Sequence, residues 1–181
     1  MSWFKDTLTS SIGRKLIMAL TGLGLVGFLI VHLSGNFMLL ADDGGKSFNE
    51  YAHSMKGSPL ILIGEIVIFG GFIFHVIDGI MLVMKNKKAR PVAYAGGAKA
   101  KTSAGSMYMG SLGTVILIFF ILHLADFFYK AKIAESLPTS TEGIPDLYAV
   151  VVETFKNPLY VIIYVLGICL LYTSDAADDS L

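Results

Sequence analysis

Three long apolar runs dominate this sequence, at residues 12–40, 59–84 and 106–129. Each is longer than the roughly 20 apolar residues that an α-helix needs to cross the hydrocarbon of a bilayer. Hydrophobic residues make up 54% of the chain and charged residues 15%, and most of the charges fall between the runs, which is typical of a membrane protein. The runs therefore predict an all-α membrane protein, a transmembrane helix bundle with three full spans.

A fourth apolar run, PLYVIIYVLGICLLY, begins at Pro158 but is only about 15 residues long, short of a full span. The sequence then changes to TSDAADDSL, whose carboxylates are costly inside hydrocarbon. We expect a partial fourth span, with residues 1–172 forming the transmembrane domain. Residues 173–181 are expected to be a non-native tail, similar to read-through of a sequencing adapter after a truncated reading frame. The alternative is a natural polar tail after a half-inserted helix.

The segments between the runs differ in charge. KNKKARPVAYAGGAKAK, after the second run, holds six basic residues and no acid, whereas the segments after the first and third runs mix both signs. Cationic loops stay on the cytoplasmic side of a membrane. We therefore expect a cytoplasmic N terminus, which carries Lys5, Arg14 and Lys15, and helices that run outward, inward and outward. The first run is too long and too glycine-rich for a secretory signal peptide, so we expect it to be retained.

Each of the three runs contains one histidine. His32 lies 17 residues after Lys15, which places it about 25 Å from the cytoplasmic edge, and His123 lies equally far into the third run. His75 lies ten residues before Lys85, about 15 Å from that edge. The spacing predicts two depths in the membrane, with His32 and His123 at the same one.

Histidines inside spans have a chemical use. A strongly polar side chain in hydrocarbon costs a few kcal/mol unless it is satisfied, so such residues usually face the bundle interior and serve a function. A neutral imidazole is a good iron ligand, and two that face each other across a helix bundle can hold a six-coordinate haem. The alternative is that each histidine only hydrogen-bonds to a neighbouring helix. Matched depths on successive helices favour the haem.

Other polar residues have weaker claims. Asp78 and Asp126 each follow a histidine by three residues and could orient its ring, although solvation near the span ends is the expectation we favour slightly. Glu50 and His53 lie in the outer loop, where both are expected to be solvated. A carboxylate such as Glu50 at the outer edge is also what a quinone site uses to move protons.

Two local signals carry no function. GLGLVG, residues 22–27, matches the dinucleotide-binding pattern G-x-G-x-x-G, but that motif needs a preceding strand and a turn, and here it lies in a spanning helix. The single cysteine, Cys169, offers neither a disulfide nor a metal cluster. Close packing of helices explains the glycines.

Several motifs resemble one family. SSIGRKLIMALTG with LVGFLIVHLSGN, then FNEYAHSM, then FHVIDGIMLVMKNKKARP look like the cytochrome b membrane-anchor subunit of succinate dehydrogenase or fumarate reductase, in its single-subunit, five-helix, di-haem form. The resemblance covers residues 9–172. It implies two b haems in the intact family, with His32 and His123 as axial ligands of the distal haem and His75 as one ligand of the proximal haem. This chain has no histidine after His123, so it resembles a member truncated at the C terminus.

The resemblance also implies partners and a location. A flavoprotein and an iron-sulfur subunit would bind on the cytoplasmic face of a bacterial inner membrane, and electrons would pass through the haems to a quinone, commonly menaquinone. Glu50 falls near the outer acidic residue associated with quinone chemistry. Dicarboxylate chemistry would belong to the flavoprotein, and no nucleic acid is implied.

Two rival functions stay open at this point. One is a subunit of another di-haem quinone oxidoreductase, which also uses paired histidines but is not expected to show SSIGRK and NKKARP together. The other is a haem-free membrane anchor or transporter component, in which the histidines only link helices. Bound haem separates the second rival from the other functions, and a co-purifying flavoprotein separates the first.

Overall fold

The computed structural model describes residues 10–89 and 104–178. The chain divides into two compact units, Met1–Pro91 and Val92–Leu181. The described residues form helices joined by short connections and contain no β-strand, which confirms the all-α prediction. Lys5, most of the cationic segment and the last three residues of the acidic tail lie outside the described residues, so the predictions made on them are not addressed.

The described residues of the first unit form three α-helices. α1 spans Ser11–Asn36 and continues as a 3-10 turn at Phe37–Leu40, α2 spans Lys46–Met55, and α3 spans Pro59–Ala89. The side chain of Ser10 accepts a hydrogen bond from the backbone N–H of Gly13 at 3.0 Å and so caps the start of α1. GLGLVG lies within α1, as expected, and not at a strand-to-helix turn.

Contacts between α1 and α3 show that the two helices are antiparallel. Arg14 pairs with Asp78, and Thr21, two turns further along α1, lies within hydrogen-bond distance of His75. Because His75 comes before Asp78 on α3, the two pairs follow opposite orders along the two helices. A Cβ atom placed on Gly79 would lie 3.5 Å from Cε of Met18, so the glycine allows close contact at the level between them. The two longest apolar helices of this unit thus meet along a seam that contains polar side chains.

α2 was not predicted, because the segment after the first span was expected to be a loop. Its start is built by Asp43, whose carboxylate accepts hydrogen bonds from the backbone N–H groups of Gly45 and Ser47 and from the Ser47 hydroxyl. The hydrogen bond from the Ser47 hydroxyl, followed by those from the backbone, lowers the pKa of the Asp43 carboxyl. Gly44 and Gly45 have φ of 68° and 90°, which lets the chain turn into the helix.

α2 rests against the end of α1 through a glycine. A Cβ atom on Gly35 would lie 2.7 Å from Cε1 of Tyr51, so only the missing side chain admits the tyrosine ring. Phe48 and Asn49, on the same helix, are buried. The ten residues of α2 are too short and too polar to span a bilayer, and Tyr51 packs the helix against the C-terminal end of α1.

The second unit continues the third apolar run past its predicted end. α4 spans Ala104–His123 and passes directly into a π-helix at Leu124–Ile133. After a connection with an isolated bridge between Thr139 and Pro145, α5 spans Leu147–Phe155 and α6 spans Pro158–Asp178. The segment after the third run therefore also holds a helix that was not predicted.

The fourth apolar run begins at Pro158, as expected, but it does not stand alone. α5 and the apolar part of α6, up to Tyr172, meet at an angle of 99° and could together form one broken span. The backbone of α6 remains helical to Asp178, six residues past the predicted end of the transmembrane domain. A bent pair explains how so short an apolar run can be part of a membrane protein.

α4 and α6 pack closely around another glycine. A Cβ atom on Gly167 would lie 2.5 Å from Cδ2 and 2.6 Å from Cγ of Phe119. Phe119 also makes an edge contact with Tyr164, the ring centroids being 5.1 Å apart. Phe119 therefore occupies the space that a larger residue at position 167 would need.

Within residues 10–89 and 104–178, three helices are long and apolar enough to cross a membrane, at Ile12–Leu40, Pro59–Lys85 and Tyr108–Ile133. These are the three predicted spans, to within a few residues. Their large apolar side chains face outward, as shown by Leu23 at 70% and Ile66 at 65% exposure. A water-soluble protein does not present so much apolar surface, so lipid is the environment that this surface requires. The chain is a multi-pass membrane protein.

Gly167→Ala should disrupt the packing of α4 on α6. The new methyl group meets the body of the Phe119 ring, and overpacking of this kind costs about 1–3 kcal/mol. The matched control is Gly113→Ala on α4, where a Cβ atom would meet no described atom within 4 Å. Near-UV circular dichroism of the chain in mild detergent follows the packing of the aromatic side chains, Tyr164 among them, during heating. An equal transition temperature in the two variants would contradict this packing.

Candidate haem-binding histidines

The three predicted ligand residues lie within the three spans. His32 is on α1, His75 on α3, and His123 is the last residue of α4. Each side chain is partly buried, although none is enclosed. His32 and His75 belong to the first unit and His123 to the second. The pairing of His32 with His123 stays a prediction.

His75 is held by a residue of the facing helix. Its Nδ1 atom lies 2.9 Å from Oγ1 of Thr21, within hydrogen-bond distance. The same Oγ1 lies 2.9 Å from the carbonyl oxygen of Ile17 and 3.1 Å from that of Met18. A Cβ atom on Gly22 would lie 3.5 Å from Cε1 of the His75 ring, an ordinary contact. The imidazole therefore contacts the Thr21 hydroxyl through Nδ1, and its Cε1 atom lies beside the backbone of α1 at Gly22.

His32 has an aromatic neighbour on its own helix. The rings of Phe28 and His32 stack with centroids 5.4 Å apart and an angle of 25° between their planes. The two residues are four apart, the spacing at which side chains of an α-helix meet. This stack limits the rotation of the His32 ring without using its nitrogen atoms.

His123 lies in an aromatic cluster. Its ring centroid is 5.4 Å from that of Phe127, 6.0 Å from that of Tyr164 and 6.2 Å from that of Phe119. Phe155 completes the cluster through an edge contact of 5.0 Å with Tyr164. Phe119 and Phe127 belong to the same helical segment as His123, whereas α5 supplies Phe155 and α6 supplies Tyr164.

The slight preference for solvation of Asp78 is wrong. Asp78 is 4% exposed, and Nη1 of Arg14 lies 3.8 Å from its Oδ1 atom. The antiparallel packing of α1 and α3 brings this arginine to the carboxylate and buries the carboxylate, while the Arg14 side chain stays 29% exposed. The other carboxylate oxygen, Oδ2, is buried and has no hydrogen-bond partner within the described part of the chain.

Asp126 has a partner on another helix. Its Oδ2 atom accepts a hydrogen bond of 2.9 Å from the hydroxyl of Tyr164, which is itself 6% exposed. Asp126 was expected to lie near His123 because residues three apart are neighbours on an α-helix. The chain is a π-helix from Leu124 onward, and the ring of Phe127, four residues after His123, lies 5.4 Å from the His123 ring.

Glu50 and His53 lie on α2, which was expected to be a loop. Glu50 is exposed, and Lys46 lies 4.0 Å from it, so this is a surface ion pair of adjacent helix turns. His53 is also exposed, in the last turn of the helix. Exposure of both agrees with the expectation, and a role of Glu50 toward a quinone stays a prediction.

No group of three or more histidine, cysteine or acidic side chains that could hold a metal ion occurs among the described residues. A haem iron takes its axial ligands from two side chains, so the absence of a three-residue group among these residues has no bearing on haem. Cys169 is free and exposed. Comparisons with family models, with curated proteins and with solved structures find nothing that matches the chain.

Thr21 was missed by the sequence analysis, and so was the pairing of Arg14. The two residues are seven apart on α1, two helical turns, with Met18 between them on the same face. A polar residue seven positions after a membrane-edge arginine was a signal that this face meets another helix. Which residues it meets could not be known without the register of α3.

Replacing Arg14 by Met should lower the free energy of unfolding by about 1–3 kcal/mol, because Asp78 then loses the cation that pairs with it. In Arg14→Met combined with Asp78→Leu, most of that loss should be restored, since no buried charge remains. Thermal unfolding in detergent measures both changes.

The control for this pair is Lys46→Met, which removes one partner of the exposed Lys46–Glu50 pair and should cost less than about 1 kcal/mol. If Arg14→Met is as mild as Lys46→Met, the ion pair of α1 and α3 does not stabilise the fold.

Proposed function

We propose that this chain is the haem b-containing membrane anchor subunit of a succinate:quinone oxidoreductase, a succinate dehydrogenase or fumarate reductase. The observation that carries the proposal is the presence of one partly buried histidine in each of three membrane-spanning helices. The family resemblance of the surrounding motifs supplies the name of the complex.

The donor chemistry of the chain fits haem. His32 and His123 would hold the distal haem, and His75 would supply one ligand of the proximal haem. Imidazole is the ligand that six-coordinate b haems use, and each of these rings is already ordered by a neighbour: Phe28, the aromatic cluster or Thr21. A bound haem would accept and donate single electrons, and the two imidazoles would leave its iron no open position.

The remaining residues would serve the surroundings of the haem. Aromatic side chains beside His123 would exclude water and offer apolar contact area to a porphyrin. Glu50, exposed on α2, would exchange protons with a quinone, commonly menaquinone, at the outer edge. A flavoprotein and an iron-sulfur subunit would bind at the cytoplasmic face of a bacterial inner membrane, with the N terminus of this chain on that face.

One observation favours a second candidate, a haem-free membrane anchor. His75 is linked to α1 by the Thr21 contact, which is what a histidine with only a structural role would do. His32 and His123 contact the aromatic rings of Phe28 and Phe127. The haem content of variants at these two histidines distinguishes the two candidates.

His32→Ala and His123→Ala should each abolish the haem that this pair ligates, because a single axial imidazole binds haem much more weakly than two. The measurement is the reduced-minus-oxidised absorption difference per chain, purified in mild detergent. His53→Ala is the matched control, since His53 is exposed on α2, and it should keep the wild-type amplitude. Unchanged amplitude in both span variants would refute the ligand assignment.

A further inference from the structure

The contact between Thr21 and His75 specifies where the imidazole proton is. Thr21 has one hydroxyl hydrogen and lies within hydrogen-bond distance of three atoms: two backbone carbonyl oxygens and Nδ1 of His75. A carbonyl oxygen can only accept. An imidazole nitrogen either donates or accepts, depending on the tautomer.

Only one assignment satisfies all three contacts. If the hydroxyl donates to the carbonyls of Ile17 and Met18, its lone pairs accept the Nδ1–H of His75. If the hydroxyl donates to Nδ1 instead, each of the two carbonyl oxygens lies about 3 Å from Oγ1 of Thr21 with no hydrogen between the two oxygen atoms. In a low-dielectric span such a contact is more costly than in water. The first assignment is therefore the stable one.

We infer that Thr21 is a positioning residue that holds His75 as its Nδ1–H tautomer, with the ring lone pair on Nε2. This is the tautomer that a metal-binding imidazole needs when its iron is bound through Nε2. The inference rests on the proposed function for the identity of the metal, a haem iron, and on the structure alone for the tautomer. The inference adds to the proposed site a residue, Thr21, that orients a ligand but does not itself bind iron.

The arrangement follows the general design of metal sites. A ligating histidine normally donates its other N–H to a fixed acceptor, which sets the ring orientation and raises the basicity of the ligand nitrogen. Loss of that acceptor typically weakens metal binding 10–100-fold. Thr21 belongs to α1, whereas His75 belongs to α3, so the packing of these two helices would set the direction of the imidazole.

The first test needs no haem. Full-length chain labelled with ¹⁵N-histidine, in mild detergent at a pH where the ring is neutral, gives ring nitrogen shifts that separate the two tautomers, and His75→Gln identifies the His75 signals. We expect the Nδ1–H tautomer in the wild type and in Thr21→Ser, which keeps the hydroxyl. Thr21→Val, of nearly the same shape but without the hydroxyl, should shift the ring toward the other tautomer.

The matched control is Thr114→Val. Thr114 also donates to a helix carbonyl, that of Gly110 at 2.9 Å, but it is exposed, and its side chain makes no other hydrogen bond among the described residues. Its loss should leave the His75 signals unchanged. An Nε2–H tautomer in the wild type, or identical ring shifts in the wild type and Thr21→Val, would overturn the inference.

The second test addresses the iron. A chain with His32→Ala and His123→Ala keeps His75, and ferric protoporphyrin is titrated into it with excess imidazole as the second axial ligand. Thr21→Val should weaken binding about 10–100-fold, and Thr21→Ser should restore it. Equal affinity in all three would overturn the positioning role. If the porphyrin does not bind to His75 at all, the proposed function of His75 fails while the ring nitrogen result still decides the tautomer.

Discussion

The cost of a polar side chain in hydrocarbon governs the rest of this structure. Water cannot satisfy such a group inside a bilayer, so another helix must do so. Arg14 meets Asp78 and Thr21 meets His75 across α1 and α3, and Tyr164 donates to Asp126 in the second unit. These contacts fix which faces of the helices meet. Apolar packing alone would not, because lipid tails contact an apolar face as readily as another helix does.

Much of the architecture could be predicted from the sequence, because the length of an apolar run is a direct physical requirement of a spanning helix. The three spans and the start of α6 at Pro158 follow from that requirement. α2 does not, since ten residues that mix Lys46, Glu50 and aromatic side chains have no such requirement, and its position depends on Gly35 admitting Tyr51. The position of α2 is therefore set by its tertiary contact with α1, which the sequence of α2 alone does not predict.

The candidate site shows the same division. The depth of each histidine follows from counting residues along a helix, which needs no knowledge of partners. The burial of Asp78 and the contact of His75 with Thr21 depend on the antiparallel register of α1 and α3, which a single sequence does not encode in any local pattern. The contact of the His123 ring with Tyr164 likewise depends on the packing of α6 against α4. The positions of the candidate ligands could therefore be predicted from the sequence, whereas the residues that contact them depend on how the helices pack.

The proposed role is asymmetric for this chain. Under the proposal, His32 and His123 would both ligate one haem, whereas His75 would supply one ligand of the other. The two histidine levels differ by roughly 10 Å along the helices, so loss of either haem would lengthen the path of electrons from the cytoplasmic partner. The most direct measurement is haem b per polypeptide, by pyridine haemochrome, on the chain purified in mild detergent. The account predicts about one haem per chain, from His32 and His123, and a value near zero would contradict it.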